Sequence, residues 1–171
     1  VACDVTDRAA VEAAFGRVRE EGGRLDVLVN NAGLGRFAEV DDLAPEDWHV
    51  QVDTNLSGVF YCTRAAVPAM KAQHEAEGVG GHIVHIASVA GLVGNPRLAA
   101  YNATKFGVRG FSEATMKELR PHGIKVTCVY PGSVETHFAD VAGSQGNPHA
   151  MQPEDVAATV LHVIRTPPGY L

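Results

Sequence analysis

The sequence predicts an α/β fold, a parallel sheet covered by helices on both faces. Two observations carry the prediction. Short runs rich in β-branched residues alternate with longer segments of helical periodicity, which is how β-α units read in a sequence. Each apolar run also gives way to a polar or glycine-bearing loop, as strands do at the ligand-facing end of an open parallel sheet. With 171 residues, 46% of them hydrophobic and 20% charged, the chain has the balance of one globular domain with a substantial core. Residues 1–171 are therefore read as a single domain.

The elements follow in order. Val1 to Cys3 reads as the end of a strand. Thr6 stands where it can cap a helix from about Asp7 to Glu21, on which Val11, Ala14, Phe15 and Val18 share one face. Gly22-Gly23 ends that helix. Leu25 to Val29 is a buried strand by composition, and Asn30-Asn31-Ala32-Gly33 is the loop at its carboxyl end. Pro45 opens the next helix from its first turn, with Glu46 and Asp47 set favourably against the macrodipole, and this helix is expected to run to about Glu77. His82 to Ala87 and Lys125 to Tyr130 are the next strands, separated by a long helix from about Ala99 to Arg120. Pro153-Glu154-Asp155 starts a last amphipathic helix through about Arg165, and Thr166-Pro167-Pro168-Gly169 breaks it.

Composition excludes several classes of function. The formal net charge is -6, and the basic residues are scattered, so no footprint for nucleic acid or anionic lipid is present. The longest apolar runs are strand-sized, far below the ~20 residues of a membrane-spanning helix. Cys3, Cys62 and Cys128 are too far apart for a redox pair or a disulfide framework, and with no secretory pattern at the start of the sequence a cytoplasmic location is expected. Cys62 and Cys128 read as core packing. The eight histidines are spread out, and His82 and His85 would face opposite sides of a strand, so no metal site is expected. Asn55-Leu56-Ser57 and Asn102-Ala103-Thr104 match a glycosylation sequon and are read as chance.

In open parallel sheets the ligand lies beyond the carboxyl ends of the strands, so the loops at Asn30, Ser88 and Pro131 should converge on one crevice. Tyr101 and Lys105 stand four apart on a helix, hence on one face about one turn from each other. A free phenol, with a pKa near ~10, exchanges protons poorly at neutral pH, and a neighbouring cation favours its ionised form. Tyr101 thereby becomes a candidate general acid/base. Such a pair alone is common on surface helices. Ser88 lies upstream in a loop of small residues and glycines able to bring its hydroxyl beside the phenol, although a lone serine there would read as a helix cap.

Together, Asn30-Asn31-Ala32-Gly33, Asn55, Ser88, Tyr101 with Lys105, and Pro131-Gly132 resemble in order and spacing the motifs of the short-chain dehydrogenase/reductase family. The resemblance covers nearly the whole chain. It implies a Rossmann-like doubly wound sheet and an NAD(P)-dependent oxidoreductase that moves a hydride between the nicotinamide and a carbonyl or alcohol substrate. By the same resemblance Tyr101 would exchange the proton, Lys105 would lower its pKa and bond the nicotinamide ribose, and Ser88 would hold the substrate oxygen. Asn55 would hold a water in a proton relay, against the plainer reading of a helix-bending polar residue with a backbone partner. Asp4 and Val5 would contact the adenine, and Asn30, Asn31, Ala32 and Gly33 would approach the ribose and support the sheet. Pro131, Gly132, Val134 and Thr136 would orient the nicotinamide. His137 to His149 would form a mobile lid, with a plain surface loop as competitor. Leu92, Val93, Leu98 and Phe138 suggest an apolar substrate pocket. The family's reductive branch points to NADP in preference to NAD, and the helices around Asp47 to Glu77 and Ala99 to Arg120 resemble those with which its members form dimers and tetramers, so a homo-oligomer is expected.

The family's glycine-rich pyrophosphate turn does not occur in the sequence. By analogy with the dinucleotide-fold layout it would stand roughly sixty residues ahead of Val1. The expected sheet therefore lacks its first two strands, leaving Val1 to Cys3 without a neighbour and the strand Asp26 to Asn30 with an open edge. A segment of this extent on its own is expected to aggregate and to bind NAD(P) poorly. The absent turn also motivates an alternative of another class, a non-catalytic dinucleotide-binding or scaffold protein.

Overall fold

The computed structural model describes residues 1–136, 138, 142 and 149–167. The first helix, α1 (Arg8–Gly22), is capped by Asp7, whose Oδ1 accepts from the backbone N of Ala9 and Ala10 at 2.8 and 3.1 Å. The expected cap, Thr6, instead donates from N and Oγ1 to the Asp4 carboxylate, both at 2.9 Å. A carboxylate outcompetes a hydroxyl for helix N–H groups because it adds charge against the macrodipole. Gly23 closes α1 in the left-handed region, at φ 71°, where only glycine avoids steric cost. Val1 to Cys3 forms no strand. An extended segment becomes one only by pairing, and among the described residues it has no partner strand.

The sheet has three parallel strands among the described residues, in the order β1 (Val27–Asn30), β2 (Gly81–Ile86) and β3 (Ile124–Val129). Asn30 registers with His85, and His85 with Cys128. Among the described residues the outer edge of β1 has no partner strand. β1 starts two residues later than composition indicated, because Leu25 is bonded not to a strand but to the Gln73 side chain, its N to Oε1 at 2.6 Å.

The second helix comes in two parts. α2 (Pro45–Val52) runs into a five-residue π turn, Asp53–Ser57, and continues as α3 (Gly58–Glu77). Sequence periodicity predicts one unbroken helix here, since a single wide turn shifts the apolar pattern by only about one residue. The third long helix is α4 (Ala99–Leu119), and the last is α5 (Pro153–Ile164), opened by a capping box between Gln152 and Asp155. Among the described residues no helix is long and apolar enough to cross a membrane.

Helices α3 and α4 bury one face of the sheet. Ala66 and Met70 of α3 meet Ile83 of β2, Ile124 of β3 and Leu119 of α4 in one cluster. Val59, Ala87 and Val108 form a second cluster nearer the carboxyl ends of the strands, flanked by Leu56, Phe111 and Cys128. Cys62 is also buried, and Cys62 and Cys128 are free thiols. The second cluster lies beneath the loops that carry the chemistry and gives them a rigid floor.

Candidate active site

Tyr101 and Lys105 stand one turn apart near the start of α4 and are both buried, 8% and 5% exposed. The Lys105 Nζ donates to the Ile86 carbonyl at the end of β2, 2.9 Å away, and lies 5.6 Å from the centre of the Tyr101 ring. Burial pushes the Lys105 ammonium down to about 8. The Tyr101 ring packs against Phe37 at 5.6 Å and Phe138 at 5.5 Å between centroids. The expectation that the ammonium would leave Tyr101 acidic is corrected by this geometry. Burial raises the phenol above its ordinary value, and the force acting the other way is a hydrogen bond with Ser88. The cation sits over the ring, tied to a carbonyl, so its proximity does not offset the loss of water around the phenol.

Ser88 follows β2. Its Oγ accepts from the Ala90 backbone N at 3.1 Å and caps a short 3-10 turn, Val89–Gly91. The cap reading and the phenol-partner reading thus describe one hydroxyl. Just beyond it, the Val89 N donates to the Pro131 carbonyl at 2.9 Å, so the serine loop and the loop after β3 are joined, as the crevice rule predicts.

Asn55 is fully buried in the π turn. Its Oδ1 accepts from the Leu34 N at 2.8 Å, and its Nδ2 donates to the Leu34 carbonyl at 2.8 Å and to the Thr104 Oγ1 at 3.2 Å. Thr104 donates in turn to the Tyr101 carbonyl at 2.8 Å. This chain of bonds locks the Asn30-to-Gly33 loop, the π turn and α4 together. Gly33 leaves a small gap beside them, in which a Cβ would stand 3.4 Å from Asn55 Oδ1 and 3.5 Å from Lys105 Nζ. Asn31, Ala32 and Gly33 are exposed along the crevice, whereas Asn30 turns inward and bonds Thr63 and His85 at 3.2 and 3.0 Å.

The other expected contacts lie on the rim. Val5 presses on Gly58, where a Cβ would come within 2.8 Å of Val5 Cγ2, so the Asp4-Val5 segment borders the start of α3 just past Asn55. Val134 pairs with Met151 in an isolated parallel bridge, reinforced by Met151 N to Ser133 O at 2.9 Å and Glu135 N to Met151 O at 2.8 Å. Thr136 Oγ1 accepts from Phe138 N at 3.2 Å. Of the lid expected over 137–149, residues 137, 139–141 and 143–148 lie outside the described residues.

Several positioning groups carry no sequence signal of their own. Gly91 packs so closely on α4 that a Cβ would stand 2.7 Å from the Lys105 carbonyl oxygen. Gln51, fully buried, brackets Arg36 by accepting from its N at 3.1 Å and donating to its carbonyl at 3.3 Å. Phe37 faces Tyr101 from the same loop. The two glycosylation-like asparagines are both inside the protein, Asn55 and Asn102 each bonded to site backbone.

The profile of the short chain dehydrogenase family matches residues 1–146. A trans-4-hydroxycyclohexanecarboxylate dehydrogenase of Sinomonas cyclohexanicum is 45% identical over 133 residues, 78% of this chain and 49% of that protein. A 3-oxoacyl-[acyl-carrier-protein] reductase of Thermotoga maritima is 35% identical and covers 98% of this chain and 70% of its own length. Among solved structures, a 3-ketoacyl-(acyl-carrier-protein) reductase from Brucella melitensis complexed with NADH superposes with a TM-score of 0.91 at 28% identity, over 100% of this chain and 72% of that one. A closed serine dehydrogenase complexed with NADP+ gives 0.89 at 35% identity, over 98% and 70%. The chain spans about half the length of the first curated relatives it matches.

Proposed function

Because the chain belongs to the short chain dehydrogenase family, we propose that it serves an NAD(P)-dependent oxidoreductase acting on a carbonyl or alcohol. The observation that carries this reading is the convergence of Ser88, Tyr101 and Lys105 on one side of the crevice. Bound there, the nicotinamide cofactor supplies or accepts the hydride. In the reductive direction Tyr101 donates its phenolic proton to the substrate oxygen, and in the oxidative direction it takes that proton back. Ser88 donates a hydrogen bond to the same oxygen and steadies the charge that develops on it. Lys105, charged at neutral pH with its pKa near 8, stabilises the phenolate left behind. Asn55 retains one unused acceptor lone pair on Oδ1 and borders Gly33 beside Lys105, where it is assigned the water of a proton relay.

Dinucleotide chemistry suits the residues present. The gap at Gly33, free of any side chain and flanked by an amide oxygen and an ammonium, accepts a sugar hydroxyl. Asn31, Ala32, Lys105 and Tyr101 are assigned to the nicotinamide-side ribose, Pro131, Gly132, Val134 and Thr136 to the nicotinamide, and Asp4 and Val5 to the adenine end. Relatives of known structure are described with NADH and with NADP+, and NADP is the preferred assignment. Phe60 and Phe106, both more than 40% exposed on α3 and α4, support a homo-oligomer, and the free thiols support a cytoplasmic setting. The test is Tyr101→Phe in the cofactor-loaded protein. Turnover of aldehydes, ketones and alcohols, followed by nicotinamide absorbance, should fall roughly 100- to 10,000-fold while dinucleotide affinity persists. Turnover that survives the change refutes the assignment.

A further inference from the structure

Asn102 follows Tyr101 directly and takes no part in the proton transfer. Its side chain is 8% exposed and holds the serine loop at both ends. Nδ2 donates to the Ala90 carbonyl at 2.6 Å and to the Val93 carbonyl at 2.9 Å, while Oδ1 accepts from the Asn95 N at 3.1 Å. Two carbonyls on one side and an N–H on the other fix which end is nitrogen. The close seat of Gly91 on the Lys105 carbonyl is independent of that amide and presses the same loop onto the same turn of α4. The other bonds that leave the segment from Ser88 to Asn95 among the described residues are Val89 N to the Pro131 carbonyl, Leu98 N to the Asn95 carbonyl at 3.3 Å, and the bond between Ser88 and Tyr101.

We propose that Asn102 is a positioning residue that sets the Ser88 hydroxyl against the Tyr101 phenol by pinning the serine loop to the helix turn carrying Tyr101. The inference rests on the roles given above to Ser88 and Tyr101. Its physical basis is that acid/base and oxygen-holding groups must keep their mutual distance, since a displacement of about 1 Å costs on the order of 100-fold in rate. Anchoring the loop through the neighbour of Tyr101 ties both groups to one rigid turn. Removing the amide leaves two carbonyls and an N–H in search of partners, and the loop moves to find them in water.

A double-mutant cycle with Ser88→Ala and Asn102→Ala in the full chain tests this. Two readouts are used: NADPH oxidation with cyclohexanone and ethyl acetoacetate as probe carbonyls, and the ultraviolet titration of the Tyr101 phenol, taken as the difference from Tyr101→Phe. Asn102→Ala should lower kcat about 10- to 100-fold with NADPH affinity within about twofold. The phenol titration should move upward, as it should in Ser88→Ala, because the bond that holds the phenol down is lost. In the Ser88→Ala background, Asn102→Ala should add less than about twofold. Additive losses, or a titration that stays in place, overturn the proposal and leave Asn102 a purely structural residue. If the probes are not turned over, the titration alone decides. If Asn102→Ala fails to fold, Asn102→Ser, which keeps a donor, enters the same cycle. A Tyr101→Phe variant that retains turnover defeats the functional reading itself. A dead Tyr101→Phe beside an Asn102→Ala of parental rate and titration defeats only this inference.

Discussion

Helices α4 and α5 are both amphipathic, yet they are finished to different degrees. α4 buries eight of its residues, among them Tyr101, Asn102, Thr104 and Lys105, while α5 buries none and leaves Leu161 51% exposed. α5 is tethered near its end by Lys125, whose Nζ donates to the Thr166 carbonyl and Oγ1 at 3.0 and 2.7 Å. The difference shows where positional accuracy is needed. Groups assigned to proton transfer sit in a dry, cross-bonded layer, whereas the rim that would face a dinucleotide is made of exposed loop backbone.

Substitutions can break or sharpen that contrast. The largest stability effect is expected from Leu119→Ala at the far end of α4, where the side chain lies between Met70, Ile83 and Ile124. A loss of about 2–5 kcal/mol should appear in denaturant melts. Gly91→Ala should cost about 1–3 kcal/mol, because its methyl meets backbone and not a yielding side chain. It should also depress kcat more than its stability loss explains, which a comparison with Leu119→Ala at matched stability would reveal.

Acid should loosen the packed layer next. Burial holds His82 and His85 neutral down to about 4, against an ordinary 6.5, with Lys125 adding to the effect on His82. The unfolded chain takes up protons from about pH 6.5 downward and the folded chain does not until about 4, so stability is complete above that window and falls as pH drops through it. The melting temperature should decline by roughly 5 °C or more across it, and His85→Asn should shrink the decline. An unchanged slope in that variant would show that the ring is not what titrates. The smallest effect is expected at Leu161→Ala, within about 0.5 kcal/mol of the parent. A cost resembling that of Leu119→Ala would abolish the distinction between the two helices.

Much of this arrangement is legible in the residues themselves. β1, β2, β3, α1, α4 and α5 announce themselves by periodicity, Gly22-Gly23 marks the end of α1 and Pro45 the start of α2. Ser88, Tyr101 and Lys105 are readable because helical spacing and loop length suffice to bring them together. Asn102, Gly91 and Gln51 are not, since each acts on backbone atoms distant in sequence, and neither a carbonyl nor an amide leaves a trace in the pattern of side chains. The direction of the Tyr101 shift was equally hidden. It comes from the burial of a ring against which Phe37 and Phe138 pack, and desolvation is a property of the packed state alone.

The wide turn at Asp53–Ser57 settles a problem of angular phase. Gln51, which holds the Arg36 loop, and Met70, which plugs the core, would differ in heading by about 100° on a uniformly wound α-helix. A turn closed by bonds from i to i+5 advances less per residue and absorbs most of that discrepancy. One continuous rod can thus point at the crevice near its beginning and at the sheet near its finish. Deleting a single residue from this turn would let it rewind as ordinary α-helix with both headings kept, because the remaining separation of about 18 residues comes to about five whole turns.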